Sequence, residues 1–344
     1  MKRPILFPID EVWWFYVAFV GFITLLLVLD LKVFHRKSHA VTSKEALGWS
    51  VFWIGLALAF NLALYVVLPG VLSRSPHFAE RMPGADPSQI ATDLSKEFLN
   101  GYLVEMALSV DNLFVFIVIF SYFAIPAANQ HRILFWGILG AIILRGLFIA
   151  AGAVLMRFEI VVMLMGLFLI YTGIKIFGGK EEKVEPEKNP LIRIFRRFVP
   201  VTSHFEGEKF FVRDGLKLCA TPLFVALLVV ESSDVVFAID SVPAIFGITN
   251  EPLIVFTSNM FAILGLRTLY FLLANAVDRF HYLKFGLGTI LTFVGAKMSV
   301  LHFFHIDISP DLSLAVVLGV LAISILASFL IPRKTPPPSP DAAG

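Results

Sequence analysis

The sequence predicts an all-α polytopic membrane protein of about nine transmembrane helices, containing an inverted repeat of three plus three helices. Three observations carry that prediction. Of the 344 residues 58% are hydrophobic and 16% charged, above the roughly 45–50% apolar content of soluble domains. The apolar residues are gathered into runs of the length a bilayer requires. Two stretches of the chain also match each other at nearly constant spacing.

A helix rises ~1.5 Å per residue, so about 20 apolar residues cross the hydrocarbon core. Nine runs qualify: 12–34, 47–70, 98–122, 132–156, 159–178, 219–246, 253–275, 283–304 and 312–332. Open strands would leave backbone groups unsatisfied in lipid, so each run reads as a helix. The first run is long enough to span and lacks a small-residue cleavage pattern, so it reads as a span rather than a cleavable signal. Between the runs the basic residues are unevenly shared. "LKVFHRKSHAVTSK" (31–44) is basic, the 179–217 loop holds Lys180, Lys183, Lys188, Arg193, Arg196 and Arg197, and the tail carries Arg333 and Lys334. The alternate loops 71–97, 247–252 and 305–311 are neutral or acidic. The positive-inside rule then sets the N-terminus outside the cell membrane and the C-terminus in the cytoplasm, against the vote of Lys2 and Arg3.

The self-match divides the chain. "GLFLIYTGIK" (166–175) aligns with "GTILTFVGAK" (288–297) at an offset of 122, which Arg145 and Arg267 share. "ALSVDN" (107–112) aligns with "VFAIDS" (236–241) at 129, pairing Asp111 with Asp240 and Glu105 with Asp234. The resulting divisions are peripheral helices and an outer loop (1–97), a first three-helix unit (98–178), a cytoplasmic loop (179–218), a second unit (219–304), and a last helix with a Pro-rich tail (305–344). An odd number of spans reverses direction, so the two units are expected to be inverted, with a substrate site near the midplane between them.

Five carboxylates fall inside the spans: Glu105, Asp111, Glu231, Asp234 and Asp240. Each costs roughly 2.5–3.5 kcal/mol at a helix centre, so five require compensation or a purpose. One reading pairs them with Arg145, Arg267, Lys175 and Lys297 as internal locks between helices. The other notes that the acids outnumber nearby bases, and that Lys175 and Lys297 lie near span ends where they can snorkel. Negative charge is then left over for a cation. With Asn112, Ser241, Ser109 and backbone carbonyls the donors are hard oxygens, suited to Mn²⁺, Mg²⁺ or Ca²⁺, and no His or Cys accompanies them. The expected metal-binding set is Glu105, Asp111, Asn112, Glu231, Asp234, Asp240 and Ser241. Met106 is expected to fill a packing gap rather than to ligate. Asn259 either lines the path or bonds one helix to another.

Glu231 and Asp234 share a helix face, whereas Asp240 lies about half a revolution away. Pro243 removes the hydrogen bond to the carbonyl of Ile239, so a kink or unwinding around Asp240 is expected to re-aim it. In the inverted repeat the third span runs inward and the sixth outward, and their antiparallel crossing should bring Asp111 close to Glu231 and Asp234, and Glu105 close to Asp240.

"TPLFVALLVVESSDVVFAIDSVPAIFGIT", "VFTSNMFAILGLRTLYFLL" and "VEMALSVDNLFVF" closely resemble the TerC/Alx family of integral membrane proteins, over roughly residues 12 to 330. The resemblance implies a role in manganese homeostasis, with Mn²⁺ as exported ion, and an architecture similar to the LysE-type exporters; the family takes its name from a tellurium-resistance locus. The family's acidic positions match Glu105, Asp111, Glu231, Asp234 and Asp240.

The remaining features narrow the class. The basic residues lie in short clusters between apolar runs, which leaves no nucleic-acid footprint. The lone cysteine, Cys219, excludes an internal disulfide or a cysteine-cluster metal site. No Walker motif points to ATP, and no nucleophile–base arrangement points to an enzyme; no cofactor is implied. "EKFFVRDGLKLCATP" (208–222) reads as a strand, a turn at Asp214-Gly215 and a strand, with a solvated loop the commoner outcome for such a stretch. "HFFHID" (302–307) places His302, His305 and Asp307 at an outer edge, more commonly a helix end than a metal delivery site. Two functions remain: a secondary exporter of divalent cations, with protons competing for the same carboxylates, and a non-transporting scaffold or metallation factor for other membrane proteins. The implied partners are a metal ion and the bilayer, with homo-oligomerisation left open.

Overall fold

The computed structural model describes residues 4–29, 43–177, most of 195–273, 282–301 and most of 304–331. In chain order the elements are α1 (Ile9–Leu29), α2 (Ser43–Arg74), a short α3 (Pro76–Arg81), α4 (Pro87–Tyr122), α5 (Ala127–Leu155), α6 (Glu159–Phe177), strands β1 (Phe211–Asp214) and β2 (Lys217–Ala220), α7 (Pro222–Phe246), α8 (Pro252–Leu273), α9 (Leu283–Ala296) and α10 (Pro310–Leu330). This is an all-α polytopic membrane protein: α1, α2, α5, α6, α7, α8, α9 and α10 are each long and apolar enough to cross a bilayer.

The ninth expected span, 98–122, lies within α4, a helix of 36 residues. Its start has a local cause, since the Asp86 side chain accepts from Ser88 N and Pro87 takes the first helical position. The run "SQIATDLSKE" then continues the helix with mixed propensity and mostly polar residues, so α4 begins well before its apolar part.

The packing is organised around α8, which is buried along almost its whole length. It contacts α4, α2, α5 and α1. By contrast α1, α2, α6 and α10 turn large apolar residues outward, among them Trp13, Phe52, Leu62, Tyr171, Ile323 and Phe329, as lipid-facing helices do. The ends of the helices fall on two sides. On one, Leu6 N and Phe7 N meet Glu251 before α8, and Lys96 in α4 pairs with Asp311 in α10 at 2.6 Å. On the other, Tyr270 in α8 donates to Gln130 in α5 at 3.0 Å, and Asn129 donates to the carbonyl of Gly207 at 3.0 Å.

Helices α6 and α9 cross at bare backbone. A Cβ on Gly166 would lie 2.8 Å from the Gly295 carbonyl, and one on Gly295 would lie 2.5 Å from that of Gly166. Gly173 and Gly288 stand in the same reciprocal relation, at 2.6 and 2.8 Å. Glycine is required because the two backbones touch.

Two expectations are corrected here, the break at Pro243 and the solvated loop at 208–222. α7 runs unbroken through Pro243, with no unwinding around Asp240; the proline forfeits only its own bond to the Ile239 carbonyl, and the helix ends at Phe246. α9 ends as an α-helix at Ala296 and continues as a π turn over Lys297–Leu301, with Ser299 against Gly166; His302, His305 and Asp307 lie outside the described residues. The 208–222 stretch is a hairpin, with Phe211 paired to Ala220 and Asp214 to Lys217. Its anchor is aromatic: Phe211 lies against Phe224 at 4.5 Å between ring centroids, and Arg132 sits 4.8 Å over Phe210. Gly215 lies outside the described residues.

Candidate functional site

Four helices deliver polar side chains to one fully buried point. Arg145, from the middle of α5, is 0% exposed, although its neighbours Ile142 and Ile149 mark an ordinary apolar stripe. Its Nη1 donates to the Glu105 carboxylate of α4, to Ser241 Oγ of α7 at 3.3 Å and to Asn259 Oδ1 of α8 at 3.0 Å. Its Nη2 donates to Asp234 Oδ1 of α7 at 3.2 Å. With its amide oriented to satisfy both ends, Asn112 of α4 accepts from Nη2 at 3.2 Å and donates to the Leu108 carbonyl at 3.2 Å.

The spacing explains the convergence. Glu105 and Asn112 are seven residues apart, two helical turns, and so share a face of α4. Asp234 and Ser241 have the same spacing on α7. The two pairs correspond to each other at the offset of 129 and close around one guanidinium. Two carboxylates face one cation, so a negative charge remains uncompensated within the cluster. Glu105 Oε2, Asp234 Oδ2 and Ser109 Oγ are buried without a hydrogen-bond partner, which is costly unless something else satisfies them.

The other expected residues lie elsewhere. Glu231 is half-buried one turn before Asp234, its carboxylate resting where a Cβ on Gly140 of α5 would stand. Asp240 accepts from Thr172 of α6 at 3.4 Å, so Glu105 meets Asp234 and Ser241 through Arg145 rather than meeting Asp240. The reason is helix phase: with α7 unbroken, Asp240 keeps its native direction, about half a turn from Glu231. The side chain of Asp111 lies outside the described residues. Among the described residues no group of three or more His, Cys, Asp or Glu side chains is disposed to hold a metal. The converging oxygens are two carboxylates, two amides and a hydroxyl. Met106 packs against the apolar core, as expected of a gap-filler.

A second polar cluster was not foreseen. Thr249 donates to Glu97 Oε2 at 2.5 Å and accepts from Glu251 N at 3.1 Å, while the buried Glu251 carboxylate accepts from Leu6 N at 2.8 Å and Phe7 N at 3.0 Å. Arg81 ties the same segment down through the Leu6 carbonyl at 3.2 Å and the Glu11 carboxylate. Glu97 and Glu251 stand outside the apolar runs, so sequence reasoning assigned them to loops.

Fold and site together define a polytopic helical membrane protein with a buried cluster of two carboxylates around one arginine among its spans. The chain belongs to the integral membrane protein TerC family, whose profile matches residues 91–336. It is 47% identical over 329 residues to "Uncharacterized membrane protein STKORF319" of Myxococcus xanthus, covering 95% of each chain. It is 44% identical over 311 residues to "Putative membrane-bound redox modulator Alx" of Salmonella typhi, covering 90% of this chain and 92% of the relative, and 43% identical to the protein of that name from Escherichia coli K12. No solved structure matches.

Proposed function

We propose that the protein exports divalent metal cations, Mn²⁺ foremost, across the cell membrane through the buried site at the crossing of α4 and α7. The observation that carries this reading is the convergence of Glu105, Asp234, Asn112, Ser241 and Asn259 oxygens on a point where one guanidinium faces two carboxylates. Hard oxygens in that number suit a hard divalent ion, which takes about six. The family resemblance supplies manganese; the donor set supplies only the class of ion.

The transport reading includes an inverted repeat of α4–α6 and α7–α9. Its support is the reciprocal glycine crossing, in which Gly166–Gly295 and Gly288–Gly173 exchange under the offset of 122. Antiparallel helices related in this way share a two-fold axis in the membrane plane, the architecture of alternating-access carriers. The N-terminus is outside and the C-terminus cytoplasmic by the positive-inside rule.

Arg145 itself favours a second reading, a non-transporting scaffold in which the cluster only locks four helices together. Uptake of radiolabelled manganese into everted vesicles separates the two. The export reading expects uptake by the wild type and none by Asp234→Asn at equal membrane abundance; equal uptake by both assigns the carboxylate to structure.

A further inference from the structure

We infer that Arg145 is a tethered counter-cation: its guanidinium stands in the place the transported ion takes, and metal and arginine occupy that place in turn. This rests on the transport reading above. The groups that hold the guanidinium are Glu105, Asp234, Asn112, Ser241 and Asn259, all through oxygen. They form a cation cage at present filled by a side chain.

Repulsion between two cations sharing the same oxygens decides between coexistence and exchange. With arginine alone in the cage the two carboxylates leave one negative charge; with a divalent ion alone the sum is zero; with both it is positive, and with neither two buried carboxylates face each other. Only the two singly filled states avoid both a bare acid pair and a metal beside a guanidinium. Arginine cannot lose its proton in a protein, so it must move to remove its charge. Arg145 makes its hydrogen bonds through the tip alone, its Nε having no partner, and Glu105 Oε2 and Asp234 Oδ2 carry no hydrogen bond that an arriving ion would have to break. The arginine thereby lets the carrier return without cargo, since the empty cage is never bare.

A side chain that fills the cage for about nine-tenths of the time raises the apparent Kd for the ion about tenfold. The test uses the full chain in lipid nanodiscs, with Mn²⁺ binding followed by loss of the free-ion paramagnetic resonance signal, for the wild type, Arg145→Met and Arg145→Lys. Arg145→Met is expected to bind Mn²⁺ about tenfold more tightly or better, with a melting temperature that rises more steeply with Mn²⁺ than that of the wild type. It should also lose net export, because the returning cage lacks its built-in cation. Arg145→Lys, a cation with a weaker grip, falls between. Should Arg145→Met not fold, tightening in Arg145→Lys carries the test. Unchanged or weaker Mn²⁺ binding in the folded variants overturns the exchange and leaves Arg145 a fixed clamp. Failure of the wild type to bind or move Mn²⁺ at all is a separate result, and removes the transport reading together with this one.

Discussion

At the scale of residues, the chain places one guanidinium against Glu105 and Asp234 where no solvent reaches. Breaking such a pair by removing one charge typically costs about 3–5 kcal/mol, because the partner is left unpaired. Here the arithmetic differs, since two acids share the base: Glu105→Gln or Asp234→Asn leaves a neutral pair. We therefore predict that both variants remain folded in the membrane, with melting temperatures close to the wild type, and lose manganese export by at least about tenfold. A collapse in abundance would instead assign these acids to structure. Four of the five residues holding Arg145, namely Glu105, Asn112, Asp234 and Ser241, are legible in the sequence as expected ligands, because a charge, amide or adjoining hydroxyl within an apolar run is conspicuous; for Asn259 the sequence offers two roles. Pairing of these acids with Arg145 was one of the two readings the sequence offered; that residues of three helices share the one guanidinium was not legible. It depends on how α4 and α7 are phased, which no local pattern reports, and the expected approach of Glu105 to Asp240 failed on that point.

At the scale of elements, the α6–α9 crossing depends on having no side chain at Gly166, Gly173, Gly288 and Gly295. A Cβ at Gly166 would stand 2.7 Å from the Cβ of Ser299 as well as against backbone, so nothing flexible can yield. Gly166→Leu is predicted to destabilise the fold by about 1–3 kcal/mol or more, read as a lower melting temperature in detergent. Gly319, with open space around its missing Cβ, serves as the control, and Gly319→Leu should change little. The N-terminal segment makes a parallel case. Glu251→Ala leaves Leu6 N and Phe7 N without their acceptor, at about 1–3 kcal/mol for each buried group. Protease cleavage near residue 8 should become faster in that variant, and an unchanged rate would show that the carboxylate does not hold the segment. The sequence contained the glycines as part of a self-match, but their use as a crossing emerges only when the two units face each other. The hairpin is the converse case, its strand–turn–strand pattern being local and readable from residues 208–222.

At the scale of the whole molecule, the helical membrane class was legible because hydropathy and length are one-dimensional properties: among the described residues eight expected spans fall on helices long and apolar enough to cross a membrane, and the 98–122 span lies within α4. The polar first turns of α4 and the π turn after α9 were not, since the bundle sustains both where local hydropathy gives no reason for a helix. Sidedness is testable directly. In a Cys219→Ser background, Pro83→Cys should react with an impermeant maleimide in intact cells, and Lys209→Cys only after permeabilisation. Labelling of both in intact cells would end the inverted arrangement. The central claim is that the chain alone moves a divalent ion through the Glu105–Asp234 cage. Its most direct measurement is Mn²⁺ entry into liposomes containing only the purified protein and an internal Mn²⁺-quenched dye. The account predicts quenching that requires the protein and is lost in both Glu105→Gln and Asp234→Asn; quenching no faster than in protein-free liposomes, from protein shown to be folded and inserted, would contradict it.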